Sequence, residues 1–290
     1  MLREAGHEVT GTTRKEDSAS LIRDLGGEPV TVDMFDAEAV NQAVTAAQPE
    51  VVIHQLTSIP QSMNVKRILE EFETNNRLRR EGTRNLVEAA KAAGARRIVA
   101  QSFGQAYAPG GSGLRVETDP LAVEQGDIVR AIADLEQIVT QTDGIEGVAL
   151  RYGFFYGPGT SYASDGAQAE ALRKRRFPVV GKGEGVHSFI HVDDAAAAAV
   201  RAMDQGPPGI YNVADDDPAL VADWVPYLAE VLGAPKPRRV PVFIAKWFAG
   251  DYGVNFMTRS QGISNEKAKR ELALGLRYPS WRQGFREALG

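Results

Sequence analysis

Short apolar runs alternate with amphipathic helical stretches through the first two thirds of the chain, and that alternation does most to limit its fold. His7-Glu8-Val9-Thr10-Gly11-Thr12-Thr13 opens the series as a strand-like run. Before it, Met1 to Gly6 reads as the last turns of a helix closed by a glycine. Glu28-Pro29-Val30-Thr31-Val32 is a second strand, followed by a helix over 37–47. Val51-Val52-Ile53-His54-Gln55 is a buried-strand run, and a long helical region covers 65–93, with Leu86, Val87, Ala89 and Ala90 on its apolar face. Arg97-Ile98-Val99-Ala100 and Val148-Ala149-Leu150-Arg151 are further strands. Strands separated by helices of this length require right-handed crossovers, which build a mostly parallel sheet covered by helices. The fold class is α/β, doubly wound.

The second half is less regular. Residues 158–187 are rich in glycine and charge, and 187–194 lead into an alanine-rich helix. Gly209-Ile210-Tyr211-Asn212-Val213 is one more strand, and helical patterns around Trp224, Phe248 and Glu266 finish the chain. At 290 residues with 43% hydrophobic content, one or two domains can form. A net charge of −5 argues against nucleic acid or an anionic membrane as partner. Arg173-Lys174-Arg175-Arg176 is either a solvated helix end or a small basic patch. The absence of cysteine excludes disulfides, thiol nucleophiles and cysteine-bound metal, and suits a reducing cytoplasm. No apolar stretch approaches the roughly 20 residues of a membrane helix, and no signal segment is evident, so the expected location is cytoplasmic.

Five segments in order carry a resemblance. They are Val32-Asp33, Gly82-Thr83-Arg84-Asn85-Leu86, Tyr156-Gly157-Pro158-Gly159, Ser188-Phe189-Ile190-His191-Val192-Asp193-Asp194 and Tyr211-Asn212-Val213. Together they resemble the NAD-dependent epimerase/dehydratase branch of the extended short-chain dehydrogenase/reductase superfamily. The resemblance implies a Rossmann-like NAD(P)-binding domain from residues 1–157 and 188–213. A smaller, mostly C-terminal substrate domain would use 158–187 and 214–290.

Family members begin with a strand and a Gly-x-x-Gly-x-x-Gly loop, and neither is present here; the chain starts in the helix that follows them. In the strand order 3-2-1-4-5-6 the missing strand is central. Unpaired backbone groups at its neighbours would cost about 1–3 kcal/mol each, against a total stability of about 5–15 kcal/mol. Three explanations are open: a fragment begun at an internal methionine, direct pairing of the second and fourth family strands, or a strand from a partner chain. The first is the expectation, and with it poor cofactor affinity, because loop amides at a helix N-terminus make the pyrophosphate site.

The resemblance also implies contacts for the cofactor. Thr12-Thr13-Arg14-Lys15 falls where the adenosine ribose lies, and Arg14 with Lys15 favours the 2′-phosphate of NADP over NAD; the alternative is an incidental charge on a surface loop. Asp33 falls at the adenine amino group with Met34 as an apolar wall, or else Asp33 is a turn or cap residue. Leu56 and Thr57 follow the next strand beside the cofactor. Gly153 and Phe155 fall where backbone meets the nicotinamide carboxamide. Tyr156 and His187 are candidate substrate contacts, His187 as a cation for a phosphate or carboxylate, with a surface histidine as the alternative.

Chemistry in this family normally uses a tyrosine with a lysine four residues later, plus a serine or threonine; the lysine lowers the phenol pKa. There is no tyrosine between Tyr107 and Tyr152 and no lysine between Lys91 and Lys174. Anchoring the helix on Glu136 puts Ile128 and Ile132 at the pair's positions, and strict registration puts Phe103 on the usual serine. Ser102, Tyr107 and Tyr152 are the remaining catalytic candidates; Tyr107 is otherwise a packed aromatic. His191 with Asp193 and Asp194 is read as an ordered turn capping the alanine-rich helix, and no metal is expected. The expectation is an atypical NAD(P)-dependent oxidoreductase or epimerase acting on a small carbonyl- or hydroxyl-bearing metabolite. The alternative is a dinucleotide-binding sensor or scaffold without catalysis. A homodimer through the two long helices is implied by analogy.

Overall fold

The computed structural model describes residues 1–59, 67–110 and 113–289. Strands β1 (Thr10–Thr13) and β2 (Glu28–Thr31) pair in parallel across the crossover helix α1 (Glu16–Asp24). Helix α2 (Ala37–Ala47) begins where the Asp36 carboxylate accepts from the backbone amides of Glu38 and Ala39, an N-cap that satisfies two otherwise orphaned donors. It buries Val40 and Val44 and leads to β3 (Val51–His54).

From β3 the chain runs through α3 (Ile68–Glu71), α4 (Glu73–Arg77), a π-helical turn at Leu78–Gly82 and α5 (Thr83–Ala92). The helical region expected over 65–93 is thus present but broken from Ile68 on; residues 65 and 66 lie outside the described residues. At the break the His54 ring bonds the Thr83 hydroxyl at 2.8 Å, tying the end of β3 to the start of α5. Strand β4 (Arg97–Phe103), helix α6 (Asp127–Gln141) and strand β5 (Glu146–Tyr152) follow. Ile98, Val99, Ala100, Val148, Ala149 and Leu150 are fully buried, as strands covered on both faces require. Arg97 is the exception. Its guanidinium bonds Glu146 and the carbonyls of Ala202, Gln205 and Gly206, neutralising a helix C-terminus.

Beyond β5, strand β6 (Phe154–Tyr156) precedes α7 (Ala167–Arg173), β7 (Val179–Val180), β8 (Val186–His187) and β9 (Phe189–His191); β6 and β9 pair in parallel. Helix α8 (Val192–Arg201) leads to β10 (Gly209–Val213), which completes a parallel sheet of order β10-β5-β4-β3. The α8 cap is His191 itself, whose Nδ1 accepts from the Asp193 amide. Asp194, expected to share that cap, instead accepts from the Arg277 and Tyr278 amides and pins the C-terminal segment. The chain ends with β11 (Ala219–Leu220), α9 (Val221–Val231), β12 (Arg239–Val240), α10 (Val242–Thr258), α11 (Glu266–Glu271) and α12 (Trp281–Leu289). Around Tyr156, Phe189, Trp224, Leu228, Trp281 and Phe285 these elements build a second core.

Strands β1 and β2 form a sheet of their own, not hydrogen-bonded to the four-stranded one among the described residues. Direct pairing of β1 with β3, the second explanation offered for the absent strand, does not occur. Each keeps an edge without a strand partner among the described residues.

Candidate functional site

The C-terminal ends of β1, β2 and β3 converge on one cleft. Thr12, Thr13 and Arg14 come from β1, Val32 to Phe35 from β2, and Leu56 to Ser58 from β3, with Thr74 and Leu78 from the helical run. Five of the seven predicted cofactor contacts, Arg14, Asp33, Met34, Leu56 and Thr57, therefore meet. Parallel strands place ligands outside their carboxyl ends, and this cleft lies at those ends, between the β1-β2 sheet and β3 of the four-stranded one. Val32, Met34, Leu56 and Leu78 offer apolar walls for a purine, and the hydroxyls of Thr12 and Thr13 and the Arg14 guanidinium stand at its rim. The set fits the adenosine end of a dinucleotide. Asp33 accepts from the Phe35 amide at 3.0 Å, so it also serves as a turn residue. Sequence reading missed Thr74 and Leu78; beside them the Asn75 side chain accepts from the Ser58 amide at 2.8 Å, joining this helical run to the end of β3.

The other two predicted contacts lie elsewhere. A Cβ at Gly153 would stand 2.6 Å from the Ser188 carbonyl, so that glycine lets two backbones touch. Phe155 packs on Tyr152 with ring centroids 5.1 Å apart, against the core that contains Ile190 and Ala195.

The catalytic candidates belong to a closed polar network. Ser102 donates to Glu136 at 2.6 Å. Arg151 grips both Glu136 oxygens at 2.7 and 2.6 Å and donates to the Tyr107 oxygen at 2.7 Å. Tyr107 donates to Asn212 at 2.6 Å. All five side chains are buried. Burial pushes the Tyr107 phenol up to about 12, with Arg151 pulling it back. This corrects two expectations: the Ser102 hydroxyl is already spent on Glu136 rather than free for a substrate carbonyl, and Tyr107 is the packed aromatic rather than an acid. The sequence carried a signal for the missed partners, because Arg151 interrupts an apolar strand and Glu136 sits on the apolar face of α6.

Three further candidates prove to be core residues. The Tyr152 hydroxyl donates to the Ala195 carbonyl at 3.3 Å, and burial raises its pKa far above the ordinary phenol value. Tyr156 is fully buried beneath α12, where a Cβ on Gly284 would collide with its hydroxyl, so it cannot touch a substrate. His187 is fully buried, with Phe154 and Phe256 centroids at 5.1 and 4.6 Å, and its Nε2 bonds the Phe256 carbonyl at 3.0 Å. Burial lowers its pKa to about 4. A neutral imidazole is not the cation expected for a substrate anion, nor is this a surface histidine.

Past the ends of β4 and β5 the site turns apolar. Phe103 packs on a cluster of Phe72, Ala106, Ala122, Ile128, Val129 and Ile132. On its other side it meets Phe154 edge to face at 5.4 Å, and Phe154 meets Phe256 likewise at 5.4 Å.

Known proteins share this plan. Residues 1–214 match the sequence profile of the NAD dependent epimerase/dehydratase family. The chain belongs to that family. A 3-diazoavenalumate denitrifying reductase from a Streptomyces species is 43% identical over 297 residues, covering 97% of this chain and 95% of that protein. UDP-glucose 4-epimerase from Thermotoga maritima superposes with a TM-score of 0.78 at 20% identity, covering 99% of this chain and 91% of that one. The Thermus thermophilus UDP-glucose 4-epimerase, solved in complex with NAD, gives 0.75 at 24% identity with the same coverage. At these identities the two structures bear on the fold alone, which is the α/β Rossmann-like fold read from the sequence. An NAD(P) dinucleotide is the cofactor typical of the family.

Proposed function

We propose that this protein is an NAD(P)H-dependent reductase whose substrate accepts hydride without a proton from the enzyme, and that the substrate is a diazo compound in its diazonium form. One observation carries the reading. The three positions where the family resemblance expects serine, tyrosine and lysine hold Phe103, Ile128 and Ile132, and these pack together in one apolar patch. A carbonyl gaining hydride becomes an alkoxide and needs a donor of suitable pKa nearby. The closest phenols here are buried, with their pKa values raised. A diazonium makes no such demand. The bound cofactor supplies a hydride; its electron pair ends in a new C–H bond, the C–N bond breaks and dinitrogen leaves, so R–N2+ and NAD(P)H give R–H, N2 and NAD(P)+.

The chain's own side chains then have physical tasks. The patch around Phe103 excludes water, which would otherwise capture the diazonium. The Glu136–Arg151 pair locks α6 to β5, and Ser102 ties in β4, so the ends of these strands keep one geometry. Arg14 at the rim of the adenosine cleft supports NADP over NAD. The similarity to a denitrifying reductase over nearly the whole chain agrees with this reading.

The test mixes the protein with NADPH and benzenediazonium without oxygen, beside a panel of aldehydes and ketones and an enzyme-free control. One dinitrogen released per NADPH oxidised, with carbonyls inert, is the expected result. Carbonyl turnover would overturn the proposal. Silence with every acceptor would favour the alternative that the buried phenols also suit, a dinucleotide-binding sensor without catalysis.

A further inference from the structure

We infer that Phe103, Phe154 and Phe256 form the seat for an aromatic ring, so that the acceptor bound here is an arene; the identity of the acceptor as a diazonium rests on the reductase reading, the ring seat does not. All three rings are half-buried. The rings behind them, Phe189 and Trp224, are fully buried, and Phe154 meets Phe189 at 5.8 Å. The seat therefore has a rigid back, and each of its three rings keeps part of its surface in solvent. Phe154 stands between its neighbours, at 72° to Phe103 and 85° to Phe256. Edge-to-face geometry of this kind presents both ring faces and ring edges, which a further planar ring can extend.

Three elements build the seat. Phe103 ends β4, Phe154 opens β6, and Phe256 comes from α10 beyond its break at Gly250 (φ 63°). The neutral His187 ring lies against Phe154 and Phe256, and its Nε2, as the protonated nitrogen, donates to the Phe256 carbonyl, so it acts as a positioning residue. On the Phe103 side the lining continues through the apolar side chains of Ile128 and Ile132. The faces of phenyl rings carry negative quadrupole density, which favours a cation on the acceptor and disfavours an anion. An aromatic diazonium meets both conditions, being flat and positively charged.

The decisive experiment is calorimetric binding of two unreactive cations of similar shape, benzyltrimethylammonium and (cyclohexylmethyl)trimethylammonium, to the wild-type chain and to Phe103→Leu and Phe256→Leu. Leucine keeps most of the volume and removes the ring. The seat predicts that wild type binds the benzyl cation about tenfold more tightly than the cyclohexyl one, and that either substitution removes most of that difference. Equal binding of the two cations by wild type, or binding of neither, would overturn the seat. So would an aromatic preference that survives both substitutions. Because the two residues lie on separate elements, a thermal melt showing that one variant has unfolded leaves the other to decide. Aromatic preference without NADPH consumption in the benzenediazonium assay would sink the reductase reading and leave the seat standing.

Discussion

Arg151 and Glu136 are both out of solvent and exchange two hydrogen bonds, while Ser102 and Tyr107 take up their remaining capacity. Removing one partner strands the other charge in the core. Arg151→Met is expected to cost about 3–5 kcal/mol in urea melts. Arg151→Met with Glu136→Leu is expected to cost less than the single change, because neither charge is then left alone. Absorbance at 295 nm is expected to show no phenolate from Tyr107 below about pH 11, since its pKa is pushed up to about 12. At the cofactor cleft, Arg14→Glu is expected to weaken NADPH binding at least tenfold in a fluorescence titration and leave NADH nearly unchanged. Arg14, Asp33, Met34, Leu56 and Thr57 were legible through the family resemblance, which places them at the ends of consecutive strands. Ser102 was misjudged because its partner Glu136 is distant in sequence, and the charges of Glu136 and Arg151 in apolar surroundings mark a buried pair without saying which serine joins it.

The positions of β1 to β5 and β10 followed from apolar runs, since buried strands read that way, whereas the α6 register followed from the family resemblance, anchored on Glu136. The behaviour of α10 was not legible, because it is apolar on every side and periodicity has no contrast to report. Its first half leaves Phe243 and Trp247 at 71% and 83% exposure, whereas its second half delivers Val254 and Met257 to the core. The break at Gly250 allows the two halves to face different surroundings, with a positive φ that glycine adopts without strain. Trp224 and Trp281 are fully buried, so Trp247 is expected to account for nearly all acrylamide quenching. Trp247→Phe should remove that quenchable fraction. Strong quenching that persists in the variant would mean that the cores around α9 and α12 are open.

Among the described residues, His54, His187, His191 and Asp215 are buried groups whose shifted titration bears on how stability responds to pH. Burial lowers His54 and His187 to about 4 from an ordinary 6.5 and raises Asp215 to about 8 from 3.8. The histidines stabilise the fold above pH 6.5 and lose that contribution as pH falls towards 4. Asp215 stabilises it at low pH and loses its contribution as pH rises through 8. Between 4 and 6.5 the unfolded chain binds two more protons at His54 and His187 and one fewer at Asp215. His191, whose pKa burial also lowers, adds in the same direction as the other histidines, so stability rises with pH there. Between 6.5 and 8 only Asp215 counts and stability falls, so the maximum is expected near pH 6.5, and Asp215→Asn should flatten the upper limb of melts recorded across this range. The division of the strands into two sheets separates the adenosine cleft, at the ends of β1, β2 and β3, from the apolar patch at the ends of β4 and β5. The residues of the first fit the adenosine end of a dinucleotide, and the positions of the second where the family resemblance expects serine, tyrosine and lysine hold Phe103, Ile128 and Ile132, none of which can give a proton. That second property is the core of the functional account, and single-turnover reduction of benzenediazonium by NADPH in H2O and in D2O tests it most directly. The account predicts rates equal in the two solvents. A rate roughly twofold or more lower in D2O would show that a proton moves in the rate-limiting step and would contradict it.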